Sequence, residues 1–233
     1  FNFKVEIEEP IIYPLAIQGP KSEEVMVSVF GKKIKSIKYF HFNTFDFEGS
    51  RHIIARSGYS KQDGFEIYFS GFENGYKLWD KIINAGKEFN ILPGCPNLID
   101  RIEAGLISYG NEFNLENNPY ECNLGKYCSE NSDHDYVGKE ALKKIQSNGI
   151  EKKIMGVIFE GNSNISCSNP FPVYSKSNKN IGQITSAVYS PRLEKNIGLA
   201  MILKDFWIPG EEVFVRIADS LERKGLISSL PFQ

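Results

Sequence analysis

Histidine, cysteine and tryptophan are scarce in this 233-residue sequence, which holds three, four and two of them respectively. The histidines, His41, His52 and His134, stand apart from one another, and no two cysteines have C-x-x-C spacing. A structural zinc site needs clustered Cys and His ligands, so no metal site is expected. The widely spaced thiols of a chain large enough to build a core favour a reduced, cytoplasmic protein. We expect three of them, Cys95, Cys122 and Cys128, to be small, partly buried thiols.

A surplus of one charge and long apolar runs are also lacking. The 27 lysines and arginines nearly balance 29 aspartates and glutamates, which gives a formal net charge of −2. Such a chain has no basic excess to neutralise a nucleic-acid backbone. It also has no apolar stretch near the ~20 residues of a membrane-spanning helix. Neither a nucleic acid nor a membrane is therefore expected as a partner. The sequence also lacks the motifs of phosphate-binding loops and of G-x-S-x-G nucleophile elbows.

Alternating apolar residues predict an α+β arrangement in the first part of the chain. The predicted strands cover residues 1–7, 14–20, 34–42, 52–57 and 65–69. The predicted helices follow Ser22, a possible cap, cover residues 76–85, and begin again at Pro96. This order is compatible with helices on one face of an antiparallel sheet. An abrupt start on a one-sided strand suggests that an upstream portion is missing.

The pattern changes near residue 150, where a helix predicted at 136–147 gives way to short strands separated by Gly, Pro and Asn. Those strands are predicted at 154–159, 172–175, 181–189, 197–202 and 212–217. Many short strands are typical of a small barrel or sandwich. We therefore predict an α+β domain over 1–150 and an antiparallel β-barrel over 151–233.

Ordered sequence blocks along most of the chain resemble those of one family, the glycine-cleavage T-proteins. The blocks are LAIQGPK (15–21), ARSGYSKQDGFEIY (55–68), DRIEAGLISYGN (100–111), GQITS (182–186) with SP (190–191) and NIGLA (196–200), and PG (209–210) with LPF (230–232). Each block alone is weak, but their order makes coincidence implausible. The sequence is identified as a member of this family.

Two departures resemble the family's branch of dimethylsulfoniopropionate demethylases. Glycine-cleavage enzymes have T-G-E where this sequence has Ser60, Lys61 and Gln62, and most have an arginine where this sequence has Asn97. The resemblance implies a three-domain protein with tetrahydrofolate in a central funnel and a small-molecule methyl donor. It implies methyl transfer from dimethylsulfoniopropionate to tetrahydrofolate. The N-terminal region that supplies the family's catalytic aspartate has no counterpart here, so no catalytic residue is assigned.

Three other functions stay open at this point. The first is an aminomethyltransferase of a glycine cleavage system, which shares the fold. The second is a non-catalytic folate-binding protein, although the K-G-C-Y-x-G-Q-E segment of such relatives is missing. The third is an inactive fragment, because a fold does not fix a function.

Glu66 and Tyr68 are the first candidate ligand contacts. Alternation places Phe65, Ile67 and Phe69 on one strand face and Glu66 and Tyr68 on the other. The resemblance places Glu66 on the pterin-binding glutamate, whose carboxylate can accept from two parallel N–H donors. The competing interpretations are a solvated carboxylate and a buried sheet tyrosine.

Tyr59, Asn97 and Arg101 complete the candidate set for tetrahydrofolate binding. Tyr59 follows Gly58, where a ligand could approach the backbone closely, although packing in the core is as plausible. Asn97 is included by position. Arg101 and Glu103 point to different sides of a helix, so each is expected to be buried against another segment or to line the folate funnel. A structural ion pair is slightly favoured over ligand contact for Arg101.

Overall fold

A computed structural model describes residues 4–95, 97–129, 132–163, 167–217 and 221–232. The chain packs as two compact units, Phe1–Pro96 and Asn97–Gln233. Packing does not by itself assign a domain boundary, so the boundary expected near residue 150 stays a prediction. No helix in the described ranges is both long and apolar enough to cross a bilayer.

The first unit holds an antiparallel sheet with two helices against one of its faces. The strands are β1 (Tyr13–Gln18), β2 (Phe42–Phe47), β3 (Ser50–Ala55) and β4 (Gly64–Phe69), and they pair in the order β1-β4-β3-β2. The helices are α1 (Ser22–Phe30) and α2 (Phe72–Gly86). The predicted α+β class is confirmed.

The core of this unit follows from the period-2 alternation of β4. Phe65 and Ile67 are completely buried, and Met26 of α1 and Leu78 of α2 belong to the same apolar cluster. Glu66 lies between Phe65 and Ile67 in sequence, Tyr68 directly follows Ile67, and both are only half-buried. The prediction that they share the opposite strand face is therefore confirmed.

The strand predicted at 34–42 is wrong. A 3₁₀ helix (Lys32–Ser36) replaces its first half, and β2 starts only at Phe42. Ile34 and Ile37 are three residues apart, and both are buried. A 3₁₀ helix repeats every three residues, so this spacing turns both isoleucines inward.

The strand predicted at the start of the chain is also wrong over its described part. Residues 4–12 have no regular secondary structure, and Val5 and Ile7 are exposed. Phe1 and Phe3 lie outside the described residues. Alternation marks a strand only where a neighbouring strand can pair with it.

Helix starts were predicted less well than helix positions. Ser22 is the first residue of α1 and does not cap it; its hydroxyl donates to the Asp63 carbonyl at 3.2 Å. The helix α2 begins at Phe72, four residues earlier than predicted. Pro96 lies outside the described residues, and the helix expected there begins at Leu98.

The second unit contains a closed antiparallel barrel and two helices. Its helices are α3 (Leu98–Glu103) and α4 (Lys139–Asn148). The barrel order is β10-β5-β8-β7-β6-β9. The strands are β5 (Lys152–Phe159), β6 (Phe171–Ser175), β7 (Asn180–Ser190), β8 (Lys195–Leu203), β9 (Glu212–Arg216) and β10 (Glu222–Ser228). The predicted β-barrel is confirmed.

Strand β10 has no counterpart among the predicted strands. It begins with three charged residues and contains Gly225, which weakens any alternation signal. A Cβ at Gly225 would lie 2.8 Å from the Ile158 carbonyl oxygen across the β10–β5 pair. The glycine that hides the strand from sequence reading thus lets two strands meet and close the barrel.

A second apolar cluster joins α3 to the outside of the barrel. It contains Ile102 of α3, Ile197 and Leu199 of β8, and Phe232 from the C-terminal segment. The backbone N–H of Phe232 donates to the Glu103 carbonyl at 2.9 Å. The C-terminal segment and α3 are therefore held together on the barrel surface.

This cluster predicts a specific sensitivity at Gly156 of β5. A Cβ there would lie 2.8 Å from the completely buried ring of Phe232, which has no room to move outward. We expect Gly156→Ala to lower the free energy of unfolding by roughly 1–3 kcal/mol, the usual cost of overpacking. Gly94→Ala, at an exposed position with no atom within 4 Å of a new Cβ, is the matched control. Urea unfolding measures both, and equal midpoints would contradict the assignment.

Candidate functional site

The sheet face opposite α1 and α2 presents Glu66 between two alanines. In the strand register, Glu66 of β4 pairs with Ala16 of β1 on one side and Ala55 of β3 on the other. Phe42 of β2 ends the same row and is largely exposed. Because neighbouring strands are ~4.8 Å apart, two methyl groups flank the carboxylate without covering it. The row leaves small or exposed side chains on either side of the carboxylate.

Two hydroxyl groups fix one oxygen of the Glu66 carboxylate. Ser57 Oγ donates to Oε2 at 2.5 Å, and the Tyr68 hydroxyl donates to the same oxygen at 3.3 Å. Burial, and then the adjacent Glu66 charge, raises the pKa of the Tyr68 hydroxyl, so Tyr68 stays protonated as a donor. In the described part of the chain, no group donates to Oε1. That oxygen is an available acceptor.

The amide of Gln18 fixes the loop that carries Ser57. Gln18 Nε2 donates to the Ser57 carbonyl at 3.0 Å, and Ser60 Oγ donates to Gln18 Oε1 at 2.7 Å. A Cβ on Gly58 or Gly64 would lie 1.9 Å or 2.4 Å from the Gln18 amide. Both positions therefore require glycine for the loop to close over Gln18. The first two motif blocks are one packed cluster.

Arg56 fastens the other end of this loop. Its guanidinium makes two hydrogen bonds to the Asp63 carboxylate and an ion pair with Glu23 at 2.9 Å. It also lies over the Phe65 ring, 5.2 Å from the centroid. The hydrogen bonds from Arg56 lower the pKa of Asp63, so the pair is ionised at neutral pH. The loop conformation is consequently held at both ends.

Tyr59 and Lys61 lie on this loop. Tyr59 is 42% exposed, so the described structure does not bury it in the core of its unit. Lys61 has a φ of +62°, in the left-handed region that favours glycine. In the T-G-E segment of the glycine-cleavage enzymes that this sequence resembles, glycine stands at this position. Lys61 thus adopts a backbone conformation that suits glycine better than lysine.

Asn97 caps α3 in the second unit. Its Oδ1 accepts from the Ile99 N–H at 2.9 Å, and its amide reaches Asp100 at 3.3 Å. Asparagine is among the best residues at such a position. The structure gives Asn97 this capping role, and its proposed contact with folate stays a prediction.

Arg101 lies in a buried polar network of the second unit. Its guanidinium pairs with Glu112 at 3.2 Å and donates to Ser186 Oγ of β7 at 2.8 Å and to the Leu106 carbonyl at 3.0 Å. The Glu112 side chain is fully buried and also accepts from the Ser108 N–H at 2.6 Å. This geometry agrees with the structural ion pair favoured for Arg101. Sequence reading missed Glu112, which carries no motif or periodic signal.

Glu103 points away from Arg101 and meets a different part of β7. Its carboxylate accepts from Ser190 Oγ at 2.5 Å and from Arg192 at 2.6 Å. The two charged residues point apart, as expected from their spacing, and each is buried against other segments, but both contact the same strand, β7. Together they tie both sides of α3 to one barrel strand.

The cysteines form no cluster with other metal-binding groups. Among the described residues, no group of three or more His, Cys, Asp and Glu could hold a metal ion. Cys95 is exposed, contrary to the expectation of partial burial, because it lies in an irregular segment. Burial raises the pKa of Cys167 to about 11, so its thiol is protonated at neutral pH.

Comparison with known proteins places both parts of the sequence in one family. Residues 4–132 match the GCVT N-terminal domain, and residues 152–233 match the glycine cleavage T-protein C-terminal barrel domain. This chain belongs to the glycine cleavage T-protein family.

Two similar proteins have different named activities. This T-protein-family chain is 41% identical to the dimethylsulfoniopropionate demethylase of Ruegeria pomeroyi, over 94% of the chain and 59% of that protein. It is 37% identical to an aminomethyltransferase of Caldanaerobacter subterraneus, over 92% of the chain and 58% of that protein. The chain therefore spans less than two thirds of the length of these relatives.

A solved structure supports the fold of the T-protein-family chain. The glycine cleavage system aminomethyltransferase T of Bartonella henselae superposes with a TM-score of 0.78 at 20% identity. The match covers 95% of this chain and 60% of that one. At this identity the likeness concerns the fold.

The buried Arg101–Glu112 pair predicts a large stability effect. Glu112→Ala leaves the Arg101 guanidinium buried without its counter-charge, which should cost roughly 3–5 kcal/mol. Glu140→Ala removes the carboxylate of an exposed pair with Lys143 and should leave the stability nearly unchanged. Thermal and urea unfolding of the two variants measure this difference. A Glu112→Ala protein as stable as the control would contradict a structural role for the pair.

The left-handed backbone at Lys61 predicts a stabilising substitution. Lys61→Gly relieves a conformation that costs an L-residue about 1–2 kcal/mol, less ~0.4–1 kcal/mol of added chain entropy in the unfolded state. A net gain of roughly 0.5–1 kcal/mol is expected in urea unfolding. Lys61→Ala keeps a Cβ and should gain nothing. Equal stability of the Gly and Ala variants would show that the backbone is unstrained here.

Proposed function

We propose that this chain carries the folate-binding part of a tetrahydrofolate-dependent methyltransferase that demethylates dimethylsulfoniopropionate. The observation that carries the proposal is the half-buried Glu66 carboxylate, held on the open sheet face with one oxygen available. Pterin rings present a 2-amino group and N3–H side by side; Oε1 accepts from one of them, and Oε2 accepts from the other when the long 3.3 Å contact from Tyr68 gives way. Tyr59, Tyr68, Asn97 and Arg101 remain the other proposed contacts.

The choice of methyl donor rests on two lines of support. The chain is similar to a dimethylsulfoniopropionate demethylase over nearly all of its length. It also departs from the glycine-cleavage pattern at Lys61 and Asn97, as that branch does. A sulfonium donor needs neither a metal nor a covalent enzyme intermediate, because its sulfur leaves as a neutral thioether.

The proposed reaction forms one N–CH₃ bond and breaks two bonds, the S–CH₃ bond of the donor and the N5–H bond of tetrahydrofolate. The lone pair of tetrahydrofolate N5 forms the new N–CH₃ bond while the S–CH₃ bonding pair stays on sulfur, and the N5 proton passes to solvent. The products are 5-methyltetrahydrofolate and methylmercaptopropionate. The chain's contribution is orientation: Glu66 anchors the far side of the ring system so that N5 is presented at a fixed place. The catalytic group itself is not assigned to any residue here.

An aminomethyltransferase is the second candidate, and the 37% identity to such an enzyme favours it. It would use the same ring anchor with a different one-carbon donor. Substrate choice, and not the folate contact, separates the two candidates. A non-catalytic folate-binding protein would keep the contact and transfer nothing.

The test follows 5-methyltetrahydrofolate formation from dimethylsulfoniopropionate, using the 233-residue chain and the gene product that contains it, expressed from its own start codon. We expect methyl transfer by the longer protein and at least ~100-fold less by the shorter chain, since misplacing a reacting atom by ~1 Å can cost that much. Activity only with an aminomethyl donor would establish the second candidate. Full activity of the short chain would show that its site is complete.

Glu66→Gln tests the ring anchor, with folate affinity measured from the dependence of the same reaction on tetrahydrofolate concentration. A glutamine offers one acceptor and a repelling N–H₂ to the two ring donors, so folate affinity should fall about 10- to 100-fold, as for other charge-assisted hydrogen bonds. Glu73→Gln, an exposed position on α2, is the matched control. Unchanged folate affinity in Glu66→Gln would remove the observation on which the proposal depends.

A further inference from the structure

The two hydroxyl contacts to Glu66 are unequal. Ser57 Oγ lies 2.5 Å from Oε2, whereas the Tyr68 hydroxyl lies 3.3 Å from it. A hydrogen bond to a charged acceptor weakens as it lengthens beyond the usual 2.5–3.0 Å range for O–H···O contacts. Ser57 is therefore the stronger of the two contacts that set the direction of the carboxylate.

Ser57 can set this direction because its own backbone is fixed independently. Its carbonyl accepts from Gln18 of β1, and the same amide accepts from Ser60 three residues farther along. Gly58 and Gly64 close over Gln18 with no space for a side chain. The backbone that carries the Ser57 hydroxyl is thus held in place by β1, by the rest of its own loop and by the start of β4.

The neighbours of Glu66 on the sheet cannot perform this task. Ala16 and Ala55 flank it across the strands and have no polar side-chain atom. Without Ser57, the Glu66 side chain would keep the weaker 3.3 Å contact from Tyr68 as its restraint. A side chain with several rotatable bonds loses rotamer freedom when it is fixed, a cost that preorganisation removes from ligand binding.

We propose that Ser57 is a positioning residue: its hydroxyl holds Glu66 Oε2 so that the carboxylate is preset for a ligand with two parallel N–H donors. The proposal rests on the proposed function for the identity of that ligand as a pterin. Ser57 acts through Glu66 and is not assigned a contact of its own with the ligand. Its removal should weaken binding without unfolding the unit.

The primary test measures the Kd of 5-formyltetrahydrofolate, a stable reduced folate, by calorimetry with the gene product that contains this chain. Ser57→Ala should raise Kd about tenfold, since ligand binding must then fix a Glu66 side chain that Ser57 no longer presets. Ser57→Thr keeps a hydroxyl and should recover most of the affinity. Ser28→Ala, which removes a hydroxyl bonded to a helix carbonyl, is the matched control. Equal affinity of Ser57→Ala and wild type would overturn the proposal.

A double-mutant cycle separates positioning from a general structural effect. In a Glu66→Ala background, Ser57→Ala should have no further effect on Kd, because the group that it orients is gone. Additive losses would mean that Ser57 acts by another route and would overturn the proposal. Thermal unfolding midpoints that fall in parallel with affinity would do the same.

A ligand-free measurement distinguishes this proposal from the proposed function. Ser57→Ala should shift the side-chain carboxyl ¹³C resonance of Glu66, because that carboxylate loses its short hydrogen bond. If this resonance shifts while wild type binds no folate, the proposed function fails and the Ser57–Glu66 contact stands with another ligand. If wild type binds folate through Glu66 and the resonance does not shift, the positioning role fails alone.

Discussion

The side-chain amide of Gln18 is the constraint on which the candidate site depends. It uses both ends, donating to the Ser57 carbonyl and accepting from Ser60, and so fixes a loop that has little apolar material of its own. The glycines at 58 and 64 leave the space that the amide fills. A polar group with every hydrogen-bonding atom engaged can specify one loop conformation where apolar contacts would allow several. The loop in turn contacts the Glu66 carboxylate of β4 through the Ser57 hydroxyl.

The second unit uses the same kind of fastening with charges. Arg101 and Glu103 lie on α3, a helix of six residues that is too short to be stable alone. Each reaches a different serine of β7, Ser186 and Ser190, and each is matched by an opposite charge. Buried charges are tolerated when they are paired and fully hydrogen-bonded. The helix orientation is therefore defined by directional contacts as well as by the apolar cluster around Ile102.

Sequence reading succeeded where the physical signal was local. Alternation in β4 gave the correct faces for Phe65, Glu66 and Tyr68, and the short-strand texture after residue 150 gave the barrel. It failed where the result depends on distant partners. The 3₁₀ helix Lys32–Ser36 forms because Ile34, and Ile37 just after it, pack in a core built from other segments, and Glu112 becomes the partner of Arg101 only in the folded chain. The Ser57–Glu66 contact joins a loop to the adjacent strand, and no pattern in either segment signals it.

The two departures from the glycine-cleavage pattern have different structural consequences. Lys61 has a left-handed φ of +62°, which a glycine would adopt without strain, and it brings a positive charge to the loop. Asn97 stands where an arginine is usual and uses its carbonyl oxygen to cap α3, which a guanidinium cannot do because it has no acceptor. The exchange therefore removes a positive charge and adds a helix cap in one step. At position 61 the difference adds a positive charge and at position 97 it removes one, so the two departures do not share one electrostatic cause and each has to be explained by its own local structure.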